Sequence, residues 1–236
     1  MYPSAMASGR AFLFDLDGTL TDSRAGLVHS LRASLQALSI AEPSERKLKQ
    51  FLGTPLPEMF RTLKPGLQKQ QIADGIEAFR QAYESSGINQ NRLYDGVGDV
   101  LSGIAKAGAA AWVVTSKPEH YAERVVDILG IRPLLAGVVG AGLDETDTKG
   151  ELIARALSAG HIAAEHAVML GDRFYDIVGA VENGVLPVGA LWGYGSREEL
   201  HAAGCRAFAR SPAEFGRKFV QASAQGGAAP KTMAGA

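Results

Sequence analysis

Two aspartates, Asp15 and Asp17, stand one residue apart after the apolar run "AFLF", and Gly18, Thr19 and Thr21 follow at once. Carboxylates so close repel each other, and burying either one while charged is costly. Either this is a solvated, acidic strand end, or a positive group sits between them. Further along, Thr115 and Ser116 end the run "AAWVVTS", Lys149 opens "KGELIARALSAG", and "GDRFYD" places Asp176 one helical turn after Asp172. Asp15 and Asp172 are of the type that holds Mg²⁺, a hard cation that takes carboxylate oxygen, backbone carbonyl and water. Each piece has a plainer reading by itself. Thr115 can satisfy nearby backbone, Lys149 can lie on a helix surface, and "GDRFYD" can be an N-cap acid with a second acid in the first helical turn.

What raises the chemical reading is where the elements would put these residues. "AFLFDLD" (11–17), "AAWVVTS" (110–116), "GVVGAG" (137–142), "AVMLGD" (167–172) and "PVGALW" (187–192) are short, continuous apolar runs, as in strands covered on both faces. Helical patterns separate them: "VGDVLSGIAKAG", "KPEHYAERVVDILG", "KGELIARALSAG" and "FYDIVGAVENG". The alternation predicts an α/β fold, a doubly wound Rossmann-like parallel sheet. In such sheets ligands collect at the carboxyl ends of the strands, where Asp15, Asp17, Thr115, Ser116 and Asp172 would converge with Lys149.

One segment breaks the rhythm. From about Ser23 to Asn91 only helix-like pieces occur, with Leu27, Val28, Leu31, Leu35 and Leu38 on one stripe, and the stretch is too long for a loop. The organisation expected is an α/β core over residues 1–20 and 95–222, an inserted α-helical cap subdomain over 21–94, and a Gly/Ala-rich tail over 223–236 that is disordered.

Composition narrows the partners. The chain has 236 residues, a net charge of −1 and 46% hydrophobic residues, with neither a nucleic-acid footprint nor attraction to an anionic membrane. Cys205 is the single cysteine, which removes intrachain disulfides and thiolate zinc sites, and the five histidines are scattered. No apolar stretch approaches the ~18 residues that span a bilayer, and "MYPSAMASGR" does not read as a signal peptide, so the expected compartment is cytoplasmic. "GVVGAGLDE" and "GYGSRE" fit neither the dinucleotide nor the Walker glycine spacing.

"DLDGTLTDS", "VVTSKP", "TKGELI" and "GDRFYD" resemble, in order, the four motifs of the haloacid dehalogenase superfamily. The resemblance spans about residues 10–220 and is closest to the phosphoglycolate phosphatase-like and 5′-nucleotidase-like branch, to which "YDGV" (94–97) and "GYGS" (193–196) are also similar. It implies a Mg²⁺-dependent phosphatase that hydrolyses a small phosphorylated metabolite through an aspartyl-phosphate. Asp15 would be the nucleophile and Asp17 the general acid/base. Thr115, Lys149 and the backbone N–H of Ser116 would bind the phosphoryl group. Asp15, the carbonyl of Asp17 and Asp172 would ligate Mg²⁺, with Asp176 supporting its water shell.

Asp17 separates this site from the superfamily's dehalogenases, which lack that acid and need no metal. A sugar phosphomutase resembling β-phosphoglucomutase stays open, as does a non-catalytic phosphate-sensing or partner-binding relative of the fold. Hinge strands are expected around Thr21–Arg24 and Asn89–Gly96. The loop "LGTPL" (52–56) would bring Thr54 over the substrate, and Arg24 and Lys117 would meet an anionic one. The expected assembly is a monomer or homodimer with no nucleic-acid or membrane partner.

Overall fold

The computed structural model describes residues 9–143 and 146–221, apart from the side chains of Lys49 and Gln50. The tail expected at 223–236 lies outside the described residues. The chain opens with β1 (Ala11–Phe14), buried at every position. After β2 (Thr21–Asp22) come the helices α1 (Arg24–Ala37), α2 (Glu45–Phe51), α3 (Leu56–Leu63) and α4 (Lys69–Ser85). From β3 (Arg92–Leu93) onward helix and strand alternate. The order is α5 (Val97–Lys106), β4 (Ala110–Pro118), α6 (Glu119–Ile128), β5 (Gly137–Ala141), α7 (Lys149–Gly160), β6 (Ala167–Gly171), α8 (Phe174–Glu182), β7 (Leu186–Ala190), α9 (Arg197–Ala202), β8 (Ala207–Ala209) and α10 (Pro212–Phe215).

β1 and β4 to β8 form one sheet in the order β5-β4-β1-β6-β7-β8, with every pairing parallel. This is the α/β Rossmann-like core expected from the alternation. Chain direction across the sheet reverses between β5 and β6, so the carboxyl ends of β1, β4 and β6 flank the crevice where such sheets bind ligands. Phe215 of α10 packs edge-on against Phe12 and Phe14, with ring centroids 5.9 and 5.8 Å apart, and so anchors α10 against β1.

The strands differ in places from the sequence reading, β7 for one running Leu186–Ala190 and not 187–192. β1 stops at Phe14 rather than 17, because the N–H groups of Leu20 and Thr21 both donate to the carbonyl of Leu16 and pull the chain into a turn. β4 runs on to Pro118, with an irregularity in its pairing to β5 between Thr115 and Pro118. β8 was not expected; three residues carry too little periodicity to read as a strand.

The segment between β2 and β3 builds its own apolar cluster from Leu31, Leu35, Leu38, Leu48, Met59, Phe60 and Ile72. Of the stripe read from the sequence, helix α1 buries Leu31 and Leu35 and half-buries Leu27 and Val28, Leu38 is buried just beyond its end, and the helix packs against α4. Its first turn lies so close to the chain at Gly87 that a Cβ on Gly26 would stand 2.1 Å from the Gly87 carbonyl oxygen. Helix α2 was missed, since "ERKLKQF" offers only Leu48 as a deeply buried residue. β2 and β3 pair antiparallel, Thr21 opposite Leu93 and Asp22 opposite Arg92. No helix among the described residues is long and apolar enough to cross a membrane.

Candidate active site

The β1 end shows why a glycine follows the two acids. Asp15 still donates its backbone N–H to Leu170 of β6 at 3.0 Å, which fixes it between β1 and β6. Gly18 then adopts φ +89°, and its N–H donates to the Thr21 carbonyl at 2.8 Å, closing a tight turn. Any side chain at position 18 would also press on Asp172, since a Cβ there would lie 2.4 Å from Oδ2. The motif therefore folds the first strand end directly onto the acid from β6.

Lys149 enters from α7, whose start is set by a capping box: Thr148 accepts from the Glu151 N–H at 3.2 Å, and Glu151 accepts from the Thr148 N–H at 2.7 Å. The Lys149 ammonium lies 2.8 Å from Asp15 Oδ1 and 2.9 Å from Asp176 Oδ1, and donates to the Val114 carbonyl at 3.1 Å. Asp176 sits in the first turn of α8 and accepts from the Arg173 N–H at 3.0 Å. Asp176 thus closes the helix start and pairs with Lys149 at the same time. Arg173, not Asp172, is the N-cap. That leaves Asp172 to lie beside Asp15 and Asp176.

One oxygen each from Asp15, Asp172 and Asp176 lies within 4.8 Å of the others, and all three residues are buried. Were all three carboxylates ionised, the single ammonium of Lys149 would leave two negative charges uncompensated in a poorly solvated place. The titrations reflect that imbalance. Burial, opposed by Lys149 and reinforced by Asp176, pushes Asp15 up to about 6. Burial, then repulsion from Asp15 and Asp176, pushes Asp172 well above the usual carboxylate range. Burial alone would lower Lys149, yet Asp15 and Asp176 together hold it above its ordinary value. A divalent, oxygen-seeking cation fits this donor set in charge and in ligand type.

Asp17 is held differently. Its Oδ2 pairs with Lys117 at 2.8 Å, while Oδ1 is buried without a hydrogen-bond partner among the described residues. Lys117 also donates to the Tyr83 hydroxyl of α4 at 2.9 Å and lies 4.5 Å from the centre of that ring. Thr115 is buried and its Oγ1 accepts from the Lys117 N–H at 3.2 Å; Thr115 and Ser116 both line the cavity above the aspartates.

Two supports of Asp172 have no role in the sequence reading. Thr19 donates its hydroxyl to Oδ1 at 3.0 Å, and the backbone N–H of Tyr194 donates to Oδ2 at 2.7 Å. The hydroxyl of Thr19 next to the paired aspartates was a signal for the first. For the second, "GYGS" gave only a likeness, because a backbone donor leaves no mark on residue type.

Of the outlying residues, Thr54 lines the cavity with its loop. Arg24 does not line it. Placed where the chain leaves β2, its guanidinium lies 5.8 Å from the centre of the Tyr194 ring instead.

With this geometry in hand, likeness to known proteins can be weighed. A family model described as haloacid dehalogenase-like hydrolase matches residues 12–190. The 5′-nucleotidase of Pseudomonas aeruginosa is 37% identical over 191 residues, 80% of this chain and 86% of that protein. The phosphoglycolate phosphatase of Xylella fastidiosa is 31% identical over 204 residues, 84% of this chain and 86% of that one. The structure of protein tyrosine kinase A (PtkA) of Mycobacterium tuberculosis superposes with a TM-score of 0.75 at 32% identity, covering 88% of this chain and 96% of that chain. The four motifs, the parallel sheet and these matches agree: the chain belongs to the haloacid dehalogenase-like hydrolases and is a phosphoric monoester hydrolase.

Proposed function

We propose that the chain is a Mg²⁺-dependent phosphatase that hydrolyses a small phosphorylated metabolite, of the phosphoglycolate or nucleoside 5′-monophosphate class, through a phosphoryl group carried on Asp15. The observation that carries this reading is the meeting of three buried carboxylates, Asp15, Asp172 and Asp176, beside the ammonium of Lys149. Asp15, Asp172 and the backbone carbonyl of Asp17 would hold Mg²⁺, with Asp176 supporting its water shell. The bound ion would neutralise charge on the phosphoryl oxygens.

Asp15 supplies a carboxylate oxygen to phosphorus in line with the leaving oxygen. As the new P–O bond forms, the ester P–O bond breaks. Asp17 gives its proton to the departing alkoxide, and Oδ1 is the oxygen free to do so, because Oδ2 is held by Lys117. In the second half, Asp17 takes a proton from water as that water attacks phosphorus and the Asp15 carboxylate leaves. Lys149, Thr115 and the Ser116 N–H grip the non-reacting oxygens, where charge builds in the transition state. The α1–α4 segment acts as a cap that rocks on the β2–β3 pair and excludes water from the chemistry.

Hydrolysis of p-nitrophenyl phosphate with Mg²⁺, and its loss on chelation, tests the reading. Turnover that survives chelation contradicts the metal requirement. Conversion of β-glucose 1-phosphate into glucose 6-phosphate would move the protein to the mutases, and inertness towards every ester would make it a binding protein.

A further inference from the structure

The cavity above the aspartates has a volume of about 560 Å³, ample for a substrate much larger than a two-carbon acid. It opens between the sheet edge and the α1–α4 segment. Beyond the phosphate end its walls are apolar and aromatic, with Phe51, Met59, Phe79, Tyr83, Tyr121 and Phe174 among them. Phe79 and Tyr83 stack on successive turns of α4, centroids 5.9 Å apart and planes 13° from parallel, and Tyr121 meets Tyr83 edge-on at 5.4 Å.

Four cationic side chains reach this cavity, and each already has a partner. Lys149 holds Asp15 and Asp176, and Lys117 holds Asp17. Arg173 pairs with Glu199 at 2.9 Å and donates to the Leu52 carbonyl, and Arg80 donates to the Leu143 carbonyl. A carboxylate on the substrate, in addition to its phosphate, would enter an apolar chamber with no uncommitted cation among the described residues, and an unpaired buried charge is strongly disfavoured. At the mouth, by contrast, apolar surface is left wet. Phe174 and Val178, one turn apart on α8, both line the cavity, with 37% and 38% of their surface exposed. Tyr175 between them donates to Glu58 of α3 at 3.0 Å, which fixes α8 against the inserted helices.

We infer that this site takes phosphomonoesters whose leaving group is uncharged and carries a planar aromatic ring, a nucleoside or an aryl alcohol, in preference to substrates that bear a second anionic group beside the phosphate, such as phosphoglycolate. The inference rests on the phosphatase reading above. An aromatic leaving group covers Phe174 and Val178, packs on the walls with little reordering, and asks for no further cation.

The experiment compares kcat/KM, with Mg²⁺, for adenosine 5′-monophosphate, phenyl phosphate, glycerol 3-phosphate and phosphoglycolate. The better aromatic ester is expected to exceed both glycerol 3-phosphate and phosphoglycolate by about tenfold or more, and the adenosine and phenyl arms tell the two sources of the ring apart. Phe174→Ala should lower kcat/KM for that ester about fivefold more than for glycerol 3-phosphate. Phosphoglycolate turned over as well as the aromatic esters overturns the inference and leaves the phosphatase reading standing. If no ester releases phosphate, that reading fails, and calorimetry on the Asp15→Asn protein decides the ligand class. Tighter binding of the aromatic esters than of phosphoglycolate supports the inference, and the reverse order overturns it.

Discussion

The sheet edge and the inserted helices solve opposite problems. At the edge, four aspartates and two lysines gather, and the strain is electrostatic. Asp15 and Asp172 sit above their ordinary titration range because burial and repulsion from neighbouring carboxylates outweigh Lys149 at the first and the hydrogen bonds from Tyr194 and Thr19 at the second. In the α1–α4 segment the investment is in packing. Seven buried apolar side chains form its core, and its hydroxyls turn inward to backbone carbonyls, Ser30 to Gly26 and Ser34 to Gly75, each at 2.8 Å. The edge is built for reaction at a cost in stability, and the helices supply shape and cover. Chemistry should therefore be lost by changes at the edge that leave the fold intact, whereas changes in the helices should unfold without touching a reacting group.

The sharpest contrast is Asp15→Asn. Phosphate release should fall by about 10⁴-fold or more, while the Mg²⁺-free protein melts higher than the parent, because a buried charge that costs folding energy has gone. A lower melting temperature would mean that its pairing with Lys149 outweighs burial and repulsion. Phe60→Ala, in the core of the inserted segment, should do the reverse. Denaturant unfolding should show a loss of about 3–5 kcal/mol, since Phe60 is fully buried; a loss below about 1 kcal/mol would show that the segment's core collapses to fill the gap.

Lys149→Met strikes the one cation shared by Asp15 and Asp176. Its kcat should drop by about 10²–10³-fold, and the Mg²⁺-free protein should also be less stable, so this variant fails on both counts. The smallest effect is in pH. Between about pH 4 and pH 6 the folded, Mg²⁺-free protein keeps a proton on Asp15 that the unfolded chain has released, so its melting temperature should fall as pH rises through that window. Saturating Mg²⁺ should flatten the slope. A melting temperature that rises through the same window would contradict the assigned imbalance.

How legible each region was in the sequence follows from the same contrast. The edge residues sit at strand ends, each with a local turn or cap that residue types announce: Gly18 after Asp17, Thr148 and Glu151 around Lys149, Asp176 closing the start of α8. The parallel core was equally readable, because strands buried on both faces leave continuous apolar runs. What escaped depends on contacts far apart in the chain. Tyr194 supports Asp172 through its backbone, and Lys117 of β4 meets Tyr83 of α4, so neither pairing has a local spacing. The position of Arg24 escaped for the same reason, since a ring 170 residues away sets it. The cavity's apolar walls come from helices folded over one another, and only the fold assembles them.

The central claim is that Asp15 itself takes up the phosphoryl group. Acid quenching during steady turnover with Mg²⁺, followed by proteolysis and mass spectrometry, tests it most directly. A phosphoryl group on the peptide that carries Asp15, absent from the Asp15→Asn protein, is the predicted result. Label on another residue, or rapid turnover with no labelled protein at any time point, would contradict it.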